Sequence, residues 1–156
     1  MGEVRFDRAD FDNDGSPEII ASMGVGSRPI FRVLDGVTGV IKLEVEAYDS
    51  AFKGGMFISS GDFNGDNIPD IVTSAGAGGG SHIKLFNGID GKEISSFFAY
   101  DLSFRGGASL AVADVDLDGF ADIITGAGEG GGPHVKIFSG KDFHLIKEFM
   151  AFDVSF

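Results

Sequence analysis

The chain repeats itself at a fixed period, and this constrains its fold more than any other feature. Three acidic stretches begin 52 residues apart: DFDNDGSPE from Asp10 to Glu18, DFNGDNIPD from Asp62 to Asp70, and DVDLDGFAD from Asp114 to Asp122. Three such periods span all 156 residues, as copies 1–52, 53–104 and 105–156. The register holds outside the acidic stretches. SAGAGGGSHIKLFNG (74–88) aligns with GAGEGGGPHVKIFSG (126–140) and more loosely with SMGVGSRPIFRVLDG (22–36). FFAYDLSFRGG (97–107) aligns with VEAYDSAFKGG (45–55) and with FMAFDVSF (149–156). About 23 of 52 positions agree between the second and third copies, while the first copy has drifted furthest. A period near 50 residues implies an array, a solenoid or a propeller.

The content of each period selects among these. In the third copy, four short segments rich in β-branched and aromatic residues run ASLAVAD (108–114), ADIITGAG (121–128), HVKIFSG (134–140) and HLIKEFMAF (144–152). Turn chemistry separates them, which is strand-and-hairpin patterning. The 25 glycines leave hardly any segment free of a breaker for as long as a helix needs. The expectation is an all-β fold in which each 52-residue copy forms one four-stranded antiparallel blade of a β-propeller. Residues 1–156 then make a single propeller segment. A propeller blade buries its faces against two neighbours, so three blades leave two apolar faces bare. Head-to-tail association would close the ring, as a homodimer of six blades or a homotrimer of nine. The dimer is favoured, because blades of a nine-membered ring must be less wedge-shaped. The alternative expectation is that the chain forms three blades of a longer propeller.

The formal net charge of −12 disfavours nucleic acid and anionic membrane surfaces, which both require a basic face, and favours bound cations. The absence of cysteine excludes disulfides and thiolate metal sites. No apolar run approaches the ~18 residues of a membrane span, so no membrane insertion is expected. MGEVRFDRAD carries no apolar signal core, so export would depend on a signal elsewhere in a longer chain.

The pattern D-x-D-x-D-G-x-x-D between strands, followed by GAGEGGGPHVKIFSG, resembles the FG-GAP repeat of integrin α chains and the similar VCBS-type repeat of bacterial surface proteins. The likeness extends over all three copies. It implies a calcium-binding β-propeller, commonly of seven blades, that is extracellular or on the cell surface and serves adhesion or scaffolding.

The acidic stretches suit that chemistry. Ca²⁺ takes six to eight hard oxygen ligands. In a nine-residue turn, side chains at positions 1, 3 and 5 converge, a residue at position 6 bends the chain at positive φ, the carbonyl of position 7 turns inward, and an acid at position 9 closes the set. The third copy offers Asp114, Asp116, Asp118, the Phe120 carbonyl and Asp122; the second, Asp62, Asn64, Asp66, the Ile68 carbonyl and Asp70. The first offers Asp10, Asp12, Asp14, the Ser16 carbonyl and Glu18. Up to three Ca²⁺ per chain are expected, bound tightest by the third copy, because Asn64 lowers the ligand charge of the second and Glu18 lengthens the first. An EF-hand is excluded, since position 12 is Ala21, Thr73 or Thr125 and the flanks read as strands. The competing reading is a solvated polar turn, which Asp, Asn and Gly form without metal. Against it, the three loops hold 11 of the 24 acids, and such crowding is self-repulsive without a cation.

GAGEGG (126–131) fits a dinucleotide-binding glycine pattern, but strand chemistry follows it instead of a helix. It reads as a bulged turn. His82 and His134 hold equivalent positions after that turn, either as structural residues or facing a ligand; His144 has no equivalent. Tyr48, Tyr100 and Phe152, and likewise Phe52, Phe104 and Phe156, recur at the blade period and read as inter-blade packing. No catalytic set can be assembled, so the chain is expected not to be an enzyme. The functional expectation is an adhesion or interaction scaffold with a protein or glycan ligand. The alternatives are a glycan-binding, lectin-like propeller and the propeller part of a carbohydrate-active enzyme.

Overall fold

The computed structural model describes residues 3–153. Every regular element in it is a strand. The first sheet comprises β1 (Val4–Ala9), β2 (Glu18–Met23), β3 (Ile30–Leu34) and β4 (Ile41–Glu46). The second comprises β5 (Met56–Gly61), β6 (Asp70–Ala75), β7 (His82–Phe86) and β8 (Glu93–Phe98). The third comprises β9 (Ala108–Ala113), β10 (Asp122–Ala127), β11 (His134–Phe138) and β12 (Leu145–Met150). Each sheet is an antiparallel meander in sequence order, and the three form blades of a β-propeller, as the repeat pattern predicts. Each also carries a register shift at the same place in its last hairpin: Val33/Leu34, Leu85/Phe86 and Ile137/Phe138. No helix among the described residues is long and apolar enough to cross a membrane.

The first strands of neighbouring blades lie against one another, β1 with β5 and β5 with β9. Alternation along a strand decides what enters the junctions. In β2, Glu18, Ile20 and Ser22 point inward while Ile19 and Met23 are exposed. The middle blade is covered on both faces, so all six residues of β6 are buried.

Both junctions use the same positions. Between the first two blades, Phe11, Ile20, Phe31, Val33 and Ala47 pack against Met56, Ile58, Ile71 and Phe86. Between the second and third, Phe63, Val72, Ile83, Leu85 and Ala99 pack against Ala108, Ile123 and Phe138, each 52 residues on from its counterpart. The outer faces present these positions again without a partner. On the first blade Val4, Phe6 and Ile19 are 61%, 75% and 36% exposed, where Met56, Ile58 and Ile71 are at most 8%. On the third blade Val115 is exposed, and Ile124 and Val135 are only half-buried.

Polar contacts fix the angle between blades. The Ser22 hydroxyl donates to the Met56 carbonyl, and the Ser74 hydroxyl to the Ala108 carbonyl. The Tyr48 hydroxyl donates to the His82 carbonyl at 2.9 Å, and the Tyr100 hydroxyl to the His134 carbonyl at 2.8 Å. Burial pushes both phenols up from their ordinary range, which keeps them as donors. The backbones also meet directly: a Cβ on Gly107 of the third copy would lie 2.5 Å from the Gly76 carbonyl carbon of the second, and φ there is 75°, so only glycine fits. The recurring aromatics join these seams. Tyr48 and Phe52 meet edge to face at 5.8 Å, as do Tyr100 and Phe104. Phe152 is exposed, and Phe156 lies outside the described residues.

Candidate functional site

The acidic loops join the first and second strands of each blade. All three are held by one scheme in which side-chain oxygens close on backbone amides. The position-1 carboxylates accept from position 6: Asp10 from Gly15 at 2.9 Å, Asp62 from Asn67 at 2.8 Å and Asp114 from Gly119 at 3.1 Å. Position 3 accepts from position 5, through Asp12, Asn64 and Asp116. Position 5 accepts from position 7, through Asp14 with Ser16, Asp66 with Ile68, and Asp118 with Phe120. Alternating acids therefore shape the loop and leave further carboxylate oxygens for a cation.

Position 6 is left-handed in every copy: Gly15 at φ 89°, Asn67 at 63° and Gly119 at 92°. Position 4 is left-handed too, which the sequence pattern did not indicate. Asn13 and Gly65 suit it, at φ 56° and 81°, but the third copy places Leu117 there at φ 63°. An L-residue without local hydrogen bonding pays roughly 1–2 kcal/mol in this region, offset in part by the backbone entropy of glycine. Leu117→Gly is therefore expected to stabilise the chain by about 0.5–1 kcal/mol in urea unfolding. An unchanged or lower midpoint would show that the loop is unstrained.

Position 9 starts the second strand, and its acid is buried: Glu18, Asp70 and Asp122 are at most 1% exposed. Asp122 accepts from the Val115 amide at 2.8 Å and the Gly140 amide at 3.3 Å. Asp70 accepts from the Gly88 amide at 3.2 Å, but its Oδ2 is buried with no hydrogen-bond partner. Burial pushes this carboxyl up to about 6. Glu18 accepts from the Phe11 amide at 2.9 Å through one oxygen and binds Lys42 through the other.

The loops differ in how the acids converge. In the third, Asp114, Asp116 and Asp118 bring carboxylate oxygens within 4.8 Å of one another, all exposed, and Asp122 stands apart. This donor set of hard oxygens fits Ca²⁺. In the second, Asp62, Asp66 and Asp70 form no such trio among the described residues. In the first, Asp10, Asp12 and Glu18 converge, while Asp14 lies outside the trio. There Lys42 Nζ sits 2.6 Å from Glu18 and 2.9 Å from Asp12, and the two carboxylates hold it above its ordinary range.

A second repeated feature lies at the blade seams. A cleft of about 300 Å³ between the first two blades is lined by Tyr48, Asp49, Phe52, Gly79, His82 and Lys84. Another of about 290 Å³ between the second and third is lined by the residues 52 further on: Tyr100, Asp101, Phe104, Gly131, His134 and Lys136. Lys84 and Lys136 lie over the Tyr48 and Tyr100 rings at 5.6 and 5.3 Å. His82 stacks on Phe98 with ring centres 4.5 Å apart, and burial pulls it below its ordinary range. His134 Nε2 is 3.0 Å from Glu148. His144 is exposed beside Asp142.

Comparison with known proteins agrees with this architecture. Residues 62–125 match the FG-GAP-like repeat. The chain is 30% identical to integrin alpha-8 of Gallus gallus over 82 residues, which cover 51% of this chain and 8% of the integrin. It is 29% identical to integrin alpha-8 of Mus musculus over 83 residues, covering 52% and 8%. Among solved structures, the Bacillus licheniformis rhamnogalacturonan lyase PL11 is similar, with a TM-score of 0.57 and 17% identity over 95% of this chain and 40% of the lyase. Rhamnogalacturonan lyase YesW is similar at a TM-score of 0.56 and 15% identity, with the same coverage. The chain thus spans a small part of each integrin and less than half of each lyase.

Proposed function

For a chain built of FG-GAP-type repeats, we propose a calcium-stabilised, non-catalytic propeller module that works as an adhesion or interaction scaffold outside the cell or on its surface. The observation that carries this reading is the third loop, whose three aspartates converge with no ion pair to a lysine or arginine among the described residues. Calcium there would draw β9 and β10 together at the loop and offset repulsion among the acids. The extracellular placement follows the integrin likeness.

The bare outer faces support a partner that supplies a blade. Because they repeat the positions of the two buried junctions, a second copy docked head to tail would extend the same seam. Light scattering on a sizing column, in millimolar Ca²⁺ and again in EDTA, tests this assembly. A dimer that dissociates or aggregates in EDTA is the expected result. A monomer in both buffers would refute self-assembly.

The paired seam clefts favour a second reading, glycan binding. At about 300 Å³ they fall at the lower end of small-molecule pockets, a size suited to one sugar ring. Each offers aromatic rings for stacking, with Asp, His and Lys for hydroxyls or an acidic group. The likeness to proteins described as rhamnogalacturonan lyases is compatible with a carbohydrate ligand. Sugar-dependent melting shifts lost in Phe104→Ala would favour this reading over a purely protein-binding scaffold.

A further inference from the structure

We propose that Lys42 is a built-in cation that takes the place of a metal ion in the first loop, so the first blade is held without calcium while the later blades are not. The inference extends the calcium reading to ask which loops take the ion.

The argument rests on three positions that differ together in one copy. At the ninth loop position the first copy has Glu18, where the others have Asp70 and Asp122. After the third strand it has Asp35, where they have Asn87 and Ser139. On the fourth strand it has Lys42, where both have isoleucine, Ile94 and Ile146. The fold brings these three to one point. Lys42 Nζ lies 2.6 Å from Glu18 Oε1, 2.9 Å from Asp12 Oδ2 and 3.5 Å from Asp35 Oδ2. Asp12 and Glu18 are two of the three acids whose oxygens converge in this loop, so the ammonium already holds two of the carboxylates that a metal ion there would need.

The extra methylene of Glu18 has a purpose in this arrangement. Asp70 and Asp122 reach the glycine amide after the third strand, Gly88 or Gly140. Glu18 instead keeps the Phe11 amide and extends its other oxygen to Lys42. A metal ion at this point would have to displace an ammonium that is tethered to the same sheet and already satisfies a carboxylate buried to 1% exposure. The ammonium has no translational entropy left to lose, whereas a free ion does, so displacement is disfavoured. A buried carboxylate stripped of this partner would be strongly destabilising.

The test uses the whole chain and two variants. Lys42→Ile installs the residue of the later copies, and Lys42→Ile with Glu18→Asp restores their acid as well. Calcium stoichiometry is measured by equilibrium dialysis, and melting is followed in EDTA and in calcium. The expected result is that Lys42→Ile or the double variant binds one more ion per chain than wild type. Lys42→Ile should also melt several degrees lower than wild type in EDTA and recover in calcium. An unchanged melting temperature in EDTA would overturn the inference without reference to calcium. So would a gain of no ion by either variant, or three ions bound by wild type. Wild type binding two ions with no gain in the variants would leave the calcium reading standing and remove this one. Wild type binding none, with one gained by a variant, would keep Lys42 as the stand-in cation of the first loop and remove the calcium reading of the later blades.

Discussion

Phe31→Ala is expected to destabilise the chain by about 3–5 kcal/mol in denaturant unfolding. Phe31 is wholly buried and belongs to the first blade, yet much of its packing is with the second. Its ring meets Phe86 edge on, with centres 5.3 Å apart at 63°. Truncation removes that pair and opens a void among Ile20, Met56, Ile58 and Ile71. The equivalent residue one blade on, Ile83, is equally buried, and Ile83→Ala is expected to cost about 2–5 kcal/mol. Two blades on, the position is Val135, which is half-buried because nothing covers the outer face. Val135→Ala should cost no more than ~1 kcal/mol in an isolated chain, in keeping with the loss of partly exposed methyls. The three substitutions together read out ring closure. If Val135→Ala proves as costly as Ile83→Ala, a further blade covers that face in solution. If Phe31→Ala costs under ~1 kcal/mol, the blades are not coupled through this seam.

The period made the fold legible. Once three copies align at 52 residues, strands, blade count and inter-blade positions follow, because a residue that recurs at the blade period must recur in its environment. Asn67 was readable as a left-handed residue, since Asn is the usual substitute for Gly there. The left-handed turn at Leu117 was not, since leucine gives no such signal and only the comparison with Asn13 and Gly65 points to it. The acids were harder to separate. In sequence, Asp114 and Asp122 look like equal ligands, but Asp122 begins a strand and is buried among backbone amides, whereas Asp114 stays in the exposed trio. Lys42 carried a signal that the acidic motif alone could not contain. It lies 24 residues from Glu18, in a strand whose later copies have isoleucine, and only sheet pairing brings the two together.

Asp118 should separate the calcium effect from loop architecture. Its Oδ1 accepts from the Phe120 amide at 2.9 Å, and its carboxylate is one of the three that converge. Asp118→Ala removes both roles. Losing the turn contact should cost about 1 kcal/mol in any buffer. Losing the ligand should cost only when calcium is present. A site with no affinity for the unfolded chain adds about 4 kcal/mol when the ion stands at a thousandfold excess over Kd, and this increment is what the variant forfeits. Asp118→Asn is the cleaner probe, because the amide oxygen can still accept from Phe120, as Asn64 does from Asp66 in the second loop. It should melt at or slightly above wild type in EDTA, where one fewer charge relieves the crowded trio, and lose the third site's share of the calcium shift. A full calcium shift in Asp118→Asn would move the ion out of the third loop. No calcium shift in the wild type would instead make these loops polar turns held by their own amides, with the repulsion of clustered carboxylates borne by solvent alone.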